Sequence, residues 1–114
     1  MSTGDARRQA IRSYKQRQVD RGVFAIRCTA TGEAWVGTSL DLSNAGNRER
    51  FFLRQGRHRD QALQTCWNDH GEASLAFETL ETLGDDVPEM AVRGELKSAA
   101  ARWAAEIGAR PLLP

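Results

Sequence analysis

A chain of 114 residues with 40% hydrophobic content can bury one core but not two, which sets a single globular domain as the expectation. Its 16 Lys and Arg against 15 Asp and Glu leave a net charge of only +1, so bulk basicity is excluded as the source of any affinity for polyanions. No apolar run approaches the roughly 18 residues of a membrane span, and the polar, Arg-rich stretch Met1 to Asp20 lacks the apolar core of a secretory signal. A cytoplasmic protein without a membrane partner is expected.

The small net charge hides an asymmetry. Residues 1–59 carry 12 Lys and Arg against 5 Asp and Glu, whereas residues 60–114 carry 4 against 10. Kept on separate faces, these charges would make one side attractive to phosphates and leave the acidic second half as a docking surface for a basic protein. Cys28 and Cys66 lie far apart in sequence, and in a reducing compartment they read as two buried thiols. With His58 and His70 they match none of the paired spacings that hold zinc, and no metal site is assigned.

In chain order, Asp5 to Asp20 places Ala10, Ile11 and Tyr14 on one stripe and Arg8, Arg12 and Lys15 on another, the spacing of a short surface helix. Val23 to Cys28 and Ala34 to Gly37 read as two strands joined by a turn at Thr31-Gly32. Ser43 is the expected N-cap of a helix to Gln55 that stops at Gly56, along which Asn47, Arg50, Arg54 and then Arg57 recur at helical spacing. Asp60 caps the next helix, whose face is Ala62, Leu63, Cys66 and Trp67 and whose end is Gly71. Phe77 to Glu81 reads as a third strand. Beyond the acidic loop Gly84-Asp85-Asp86, Pro88 suits the first turn of a last helix, with Leu96, Ala99, Ala100, Trp103 and Ile107 on one face. The expected division is a basic N-terminal helix over 1–21, a domain over 22–107 and a short tail over 108–114. No internal repeat or low-complexity tract divides it further.

Gly22-Val23-Phe24 and Trp35-Val36-Gly37, about ten residues apart across a turn, resemble the two name-giving motifs of the GIY-YIG nuclease family. The resemblance extends through Leu53 to His58, Leu63, Trp67 and Gly71, then Phe77 to Glu81 and the last helix. It implies an α+β fold in which a small three-stranded antiparallel sheet is flanked by helices, here with an additional N-terminal helix. It also implies phosphodiester hydrolysis with one divalent cation: a Glu on the last helix holds the metal, an Arg on the first steadies the phosphate, and the first-motif Tyr activates water.

Matched residue by residue, the catalytic positions are substituted. The first-motif Tyr corresponds to Phe24, which has no oxygen, and loss of a general base costs about 10²- to 10⁴-fold. The second corresponds to Trp35, whose indole can donate a hydrogen bond but not accept a proton. The Arg falls on Ala45, with Arg48 three residues on as the candidate replacement. The metal-binding Glu falls on Ala100, one turn before Trp103, and reads as a small residue packed on the sheet. The leading expectation is therefore a nuclease-like domain that binds DNA or RNA with degenerate or very weak cleavage. Its phosphate contacts are Arg50, Arg54, Arg57 and His58, joined by Arg8, Arg12 and Lys15; Phe24 or Trp35, if exposed, would stack on an unpaired base. A second reading keeps an active endonuclease in which Arg48 is catalytic, Glu81 or Glu95 recruits Mg²⁺ or Mn²⁺, and His58 is the base. A third is a protein-interaction module that has left nucleic acid altogether.

Overall fold

In a computed structural model of the protein, residues 20–112 are described. The expected N-terminal helix with Arg8, Arg12 and Lys15 lies outside them. Three helices enclose a sheet: β1 (Gly22–Cys28), β2 (Ala34–Ser39), α1 (Leu42–Arg54), α2 (Gln61–His70), a single 3₁₀ turn (Glu72–Ser74), β3 (Leu75–Thr82), α3 (Glu89–Ile107) and β4 (Arg110–Pro111). None of these helices is long and apolar enough to cross a membrane.

The strand order is β3-β1-β2-β4. β1 pairs antiparallel with both neighbours, and β4 runs parallel to β2 through Trp35 opposite Arg110 and Val36 opposite Pro111. The sheet thus has four strands and is mixed, where three antiparallel strands were expected. The fourth comes from a segment read as tail, and Pro111 is tolerated there because β4 is an edge strand that needs few ladder bonds. The Leu112 amide extends the seam by donating to the Val36 carbonyl at 2.8 Å.

Both sheet faces are covered, which explains why β1 is buried almost throughout rather than alternating. Phe24, Ile26 and Cys28 point to one side and pack with Trp35, Ala45 and Leu53, and with Leu63 and Cys66 of α2. Val23, Ala25 and Val36 point to the other, against Ala99, Ala100, Trp103, Ala104 and Ile107 of α3. Cys28 and Cys66 are free and buried, as expected. Burial would raise the Cys28 thiol, but hydrogen bonds from Cys66, Thr31 and the Ala30 backbone outweigh it and bring it to about 7. Cys66 is pushed up to about 12 by burial and by Cys28.

Local signals explain most boundaries. Gly32 takes a φ of +82° in the hairpin turn, a conformation that glycine adopts without steric cost. Asp60 caps α2 by accepting from the amides of Ala62 and Leu63. Ser43 is not an N-cap: α1 begins at Leu42, and the Ser43 hydroxyl donates to Asp41 Oδ1 at 2.7 Å. The Asp41 amide is itself held by Ser39 Oγ, a turn that starts the helix earlier than the Ser43 signal implied. β3 outruns the expected Phe77–Glu81 because it pairs with β1 from Leu75 to Thr82.

Candidate functional site

At the two motif glycines, other chain segments approach closely. A Cβ on Gly22 would lie 2.0 Å from the Glu81 carbonyl oxygen and 2.8 Å from Leu42 Cδ1, at the start of β1 where the β1–β3 register shifts between Val23 and Phe24. A Cβ on Gly37 would meet Phe24 Cζ at 2.9 Å and Leu112 Cδ2 at 3.0 Å. The Phe24 ring therefore lies across Gly37, its cross-strand partner. Both glycines serve packing.

The motif aromatics serve packing as well. Phe24 is 5% exposed, Trp35 fully buried, and Ala45 lies in the same cluster. The exposure that base stacking by Phe24 or Trp35 would require is absent: both rings are buried. Trp35 Nε1 is buried without a hydrogen-bond partner among the described residues, and the Arg110 guanidinium, itself paired with Glu33, sits 5.6 Å from the ring centroid.

On α1 the inward stripe is Ala45, Glu49 and Leu53, at steps of four. Arg48 is exposed and has no hydrogen-bond or ion-pair partner among the described residues. Arg50 is half-buried, with its guanidinium over the Phe77 ring. Arg54 is tied to Glu72 at 2.7 Å, and Arg57 is exposed.

His58 departs from its expected place among the phosphate contacts. It is 7% exposed and its Nε2 pairs with Glu49, equally buried. Nδ1 accepts from the Asp60 amide at 3.0 Å, which leaves the ring proton on Nε2, directed at the Glu49 carboxylate. The cause is local: α1 ends at Arg54, and Gly56, at φ +70°, turns the chain so that helical spacing no longer carries past it. Glu49 was missed. Its signal was present, since a carboxylate midway between Ala45 and Leu53 on an apolar stripe demands a buried partner.

Ala100 is on the opposite side of the sheet, half-buried beside Ala99 and Trp103. One turn of α3 instead engages β3: Trp103 Nε1 and Arg102 both donate to Glu81 Oε1 at 2.8 Å. These hydrogen bonds, Trp103 first, hold the Glu81 carboxyl below its ordinary range against the opposing effect of burial. Glu95 is exposed, and no group of three or more His, Cys, Asp or Glu among the described residues could hold a metal ion. The residues at this turn do not fit the divalent cation that the family resemblance implies, because Glu81 already has a guanidinium as its counter-charge.

Because its folded value is depressed, Glu81 contributes stability above its unfolded value and loses it as pH falls through the folded one. Glu81→Gln, which keeps an acceptor for Trp103 but removes the charge, is expected to cost about 1 kcal/mol at neutral pH. In urea unfolding the variant and the parent protein should begin to converge as pH falls below the unfolded carboxyl value of about 4.3 and should meet once it has passed the lower, folded one; a difference that persists in strong acid would mean the charge is not what matters.

No protein-family model matches the sequence, and no curated protein does. Two solved structures resemble the fold. One is the catalytic domain of the homing endonuclease I-TevI, at a TM-score of 0.68 and 20% identity over 82% of this chain and 99% of that one. The other is a glutamate-to-alanine mutant of the catalytic domain of that intron endonuclease, at a TM-score of 0.67 and 22% identity over 79% of this chain and 86% of that one. Hairpin, paired helices, third strand and closing helix, in the order the two motifs implied, give this chain the fold of the GIY-YIG endonuclease catalytic domain.

Proposed function

We propose that the protein is a nuclease-fold domain that binds nucleic acid through its phosphates and has lost efficient cleavage. The observation that carries this reading is that the substituted motif positions have become packing: Phe24, Trp35 and Ala45 form one buried cluster. None offers an oxygen or a guanidinium to a phosphodiester, and Ala100 offers none to a cation. Two of the residues that could have replaced them, the base and a metal ligand, are committed elsewhere. His58 is sealed against Glu49, and Glu81 is held by Arg102 and Trp103.

Binding is supported by what α1 and the turn after it leave unneutralised. Arg48, Arg57 and Arg59 are exposed without an acidic partner among the described residues, and Arg50 lies on Phe77. Such contacts are independent of base sequence and weaken as salt rises.

The test is incubation of the purified protein with supercoiled and single-stranded DNA in Mg²⁺ or Mn²⁺, beside an Arg48→Ala preparation that reveals contaminating nuclease. We expect retarded mobility that fades with added salt, and no nicking above the variant. Metal-dependent nicking that disappears in Arg48→Ala would overturn the loss of cleavage; absence of any retardation would overturn the binding.

A further inference from the structure

We infer that Arg50 is the residue that positions the phosphate in this domain, its guanidinium fixed against Phe77 in the space that Gly46 leaves open on α1. This deepens the nucleic-acid reading above and rests on it. The Arg50 Cζ lies 4.1 Å from the centroid of the Phe77 ring. A Cβ on Gly46 would come within 3.1 Å of the Arg50 terminal nitrogen Nη1 and 3.8 Å of Phe77 Cδ2. Guanidinium, ring and helix backbone therefore meet at one point. Helical side chains lean toward the N-terminus, so Arg50 brings its charge back a full turn, to the level of Gly46.

Two properties set Arg50 apart from the other arginines. Arg21, Arg27, Arg54, Arg102 and Arg110 each meet a glutamate, which neutralises them. Arg50 has no carboxylate partner among the described residues; the ring attracts its cation without cancelling its charge. Arg48, Arg57, Arg59 and Arg93 are also without a carboxylate among the described residues, but no contact there restrains them, and ordering a free arginine on binding costs rotamer entropy. Arg50 has met part of that cost in the free protein. Because the ring occupies the guanidinium face, a phosphate would be met edge-on through the N–H groups directed away from Gly46, a bidentate geometry that a lysine cannot reproduce.

The experiment is fluorescence anisotropy with a fluorescein-labelled oligonucleotide, single-stranded and duplex, across a potassium chloride series. Arg50→Ala should weaken binding about tenfold and reduce the slope of log affinity against log salt by about 1, the loss of one phosphate contact. Arg50→Lys should weaken binding by a smaller factor and keep the slope, because charge is retained and the fork is not. Gly46→Ala, which displaces the guanidinium without touching its charge, should fall with Arg50→Lys, and far-ultraviolet circular dichroism with thermal melts confirms that each variant is folded. If the parent protein binds, and Arg50→Ala matches it while a combined Arg48→Ala, Arg57→Ala, Arg59→Ala variant does not, the assignment to Arg50 is overturned and the nucleic-acid reading stands. If the parent protein binds neither oligonucleotide, both fail.

Discussion

Gly22→Ala is expected to lower the stability of the protein by about 3 kcal/mol or more, the upper end of what overpacking costs. The atom in the way is the backbone oxygen of Glu81, 2.0 Å from where the new Cβ would stand, with the carbonyl carbon at 3.0 Å. No rotamer change relieves such a clash. β3 must retreat from β1 at the register shift, which endangers the neighbouring bond from the Leu83 amide to the Arg21 carbonyl. Gly37→Ala should cost less, about 1–2 kcal/mol, since the Phe24 ring and Leu112 it meets are side chains that can yield. Gly94→Ala supplies the opposite sign: nothing lies within 4 Å of its added Cβ inside α3, and alanine there should stabilise by up to about 1 kcal/mol. Urea midpoints of the three variants measure this order directly. A Gly22→Ala protein as stable as its parent would mean that β1 and β3 do not approach as described.

His58→Ala is expected to cost about 3–5 kcal/mol, more than Glu49→Ala. Removing the imidazole strands the Glu49 carboxylate in the core, the costly way to break a buried pair. It also takes away the Nδ1 acceptor of the Asp60 amide, at the cap of α2. Glu49→Ala strands only an Nε2–H, an unmet donor worth about 1–3 kcal/mol. Putting Glu49→Leu into the His58→Ala chain should recover part of the loss, because an apolar side chain at 49 has no charge to desolvate. Equal losses for the two single variants, or no recovery in the double, would mean the pair is not the buried unit described. The same pair keeps the His58 imidazole away from the surface.

What could be read from the amino-acid order follows from the range of the interactions involved. The hairpin was legible because Val23 to Cys28 and the strand from Ala34 are rich in β-formers around Thr31-Gly32, and that signal is local. The Asp60 cap and the stops at Gly56 and Gly71, both glycines at positive φ, are local too. β4 was not legible, because two residues ending in a proline carry no periodicity and take their conformation from Trp35 and Val36. The arginines of α1 were legible as a series; which of them remained charged was not, since Glu72 and Phe77 reach Arg54 and Arg50 from another part of the chain. The inward turn of His58 was hidden for the same reason. Its neighbour Arg57 continued the arginine series in sequence, whereas the partner that draws His58 inward, Glu49, lies on the helix before Gly56.

The central position of β1 also orders events in time. Its pairing with β2 closes across a tight turn, whereas its pairing with β3 brings Arg27 to Glu78, 51 residues on, and must enclose two helices. Chain entropy makes the near pairing the early one. The sheet is then expected to assemble outward from the hairpin, with β3 joining once α1 and α2 condense on the Phe24 side and β4 with Leu112 closing the β2 edge last. The Phe24 ring over Gly37 is thus among the first surfaces made and among the last to be sealed from water.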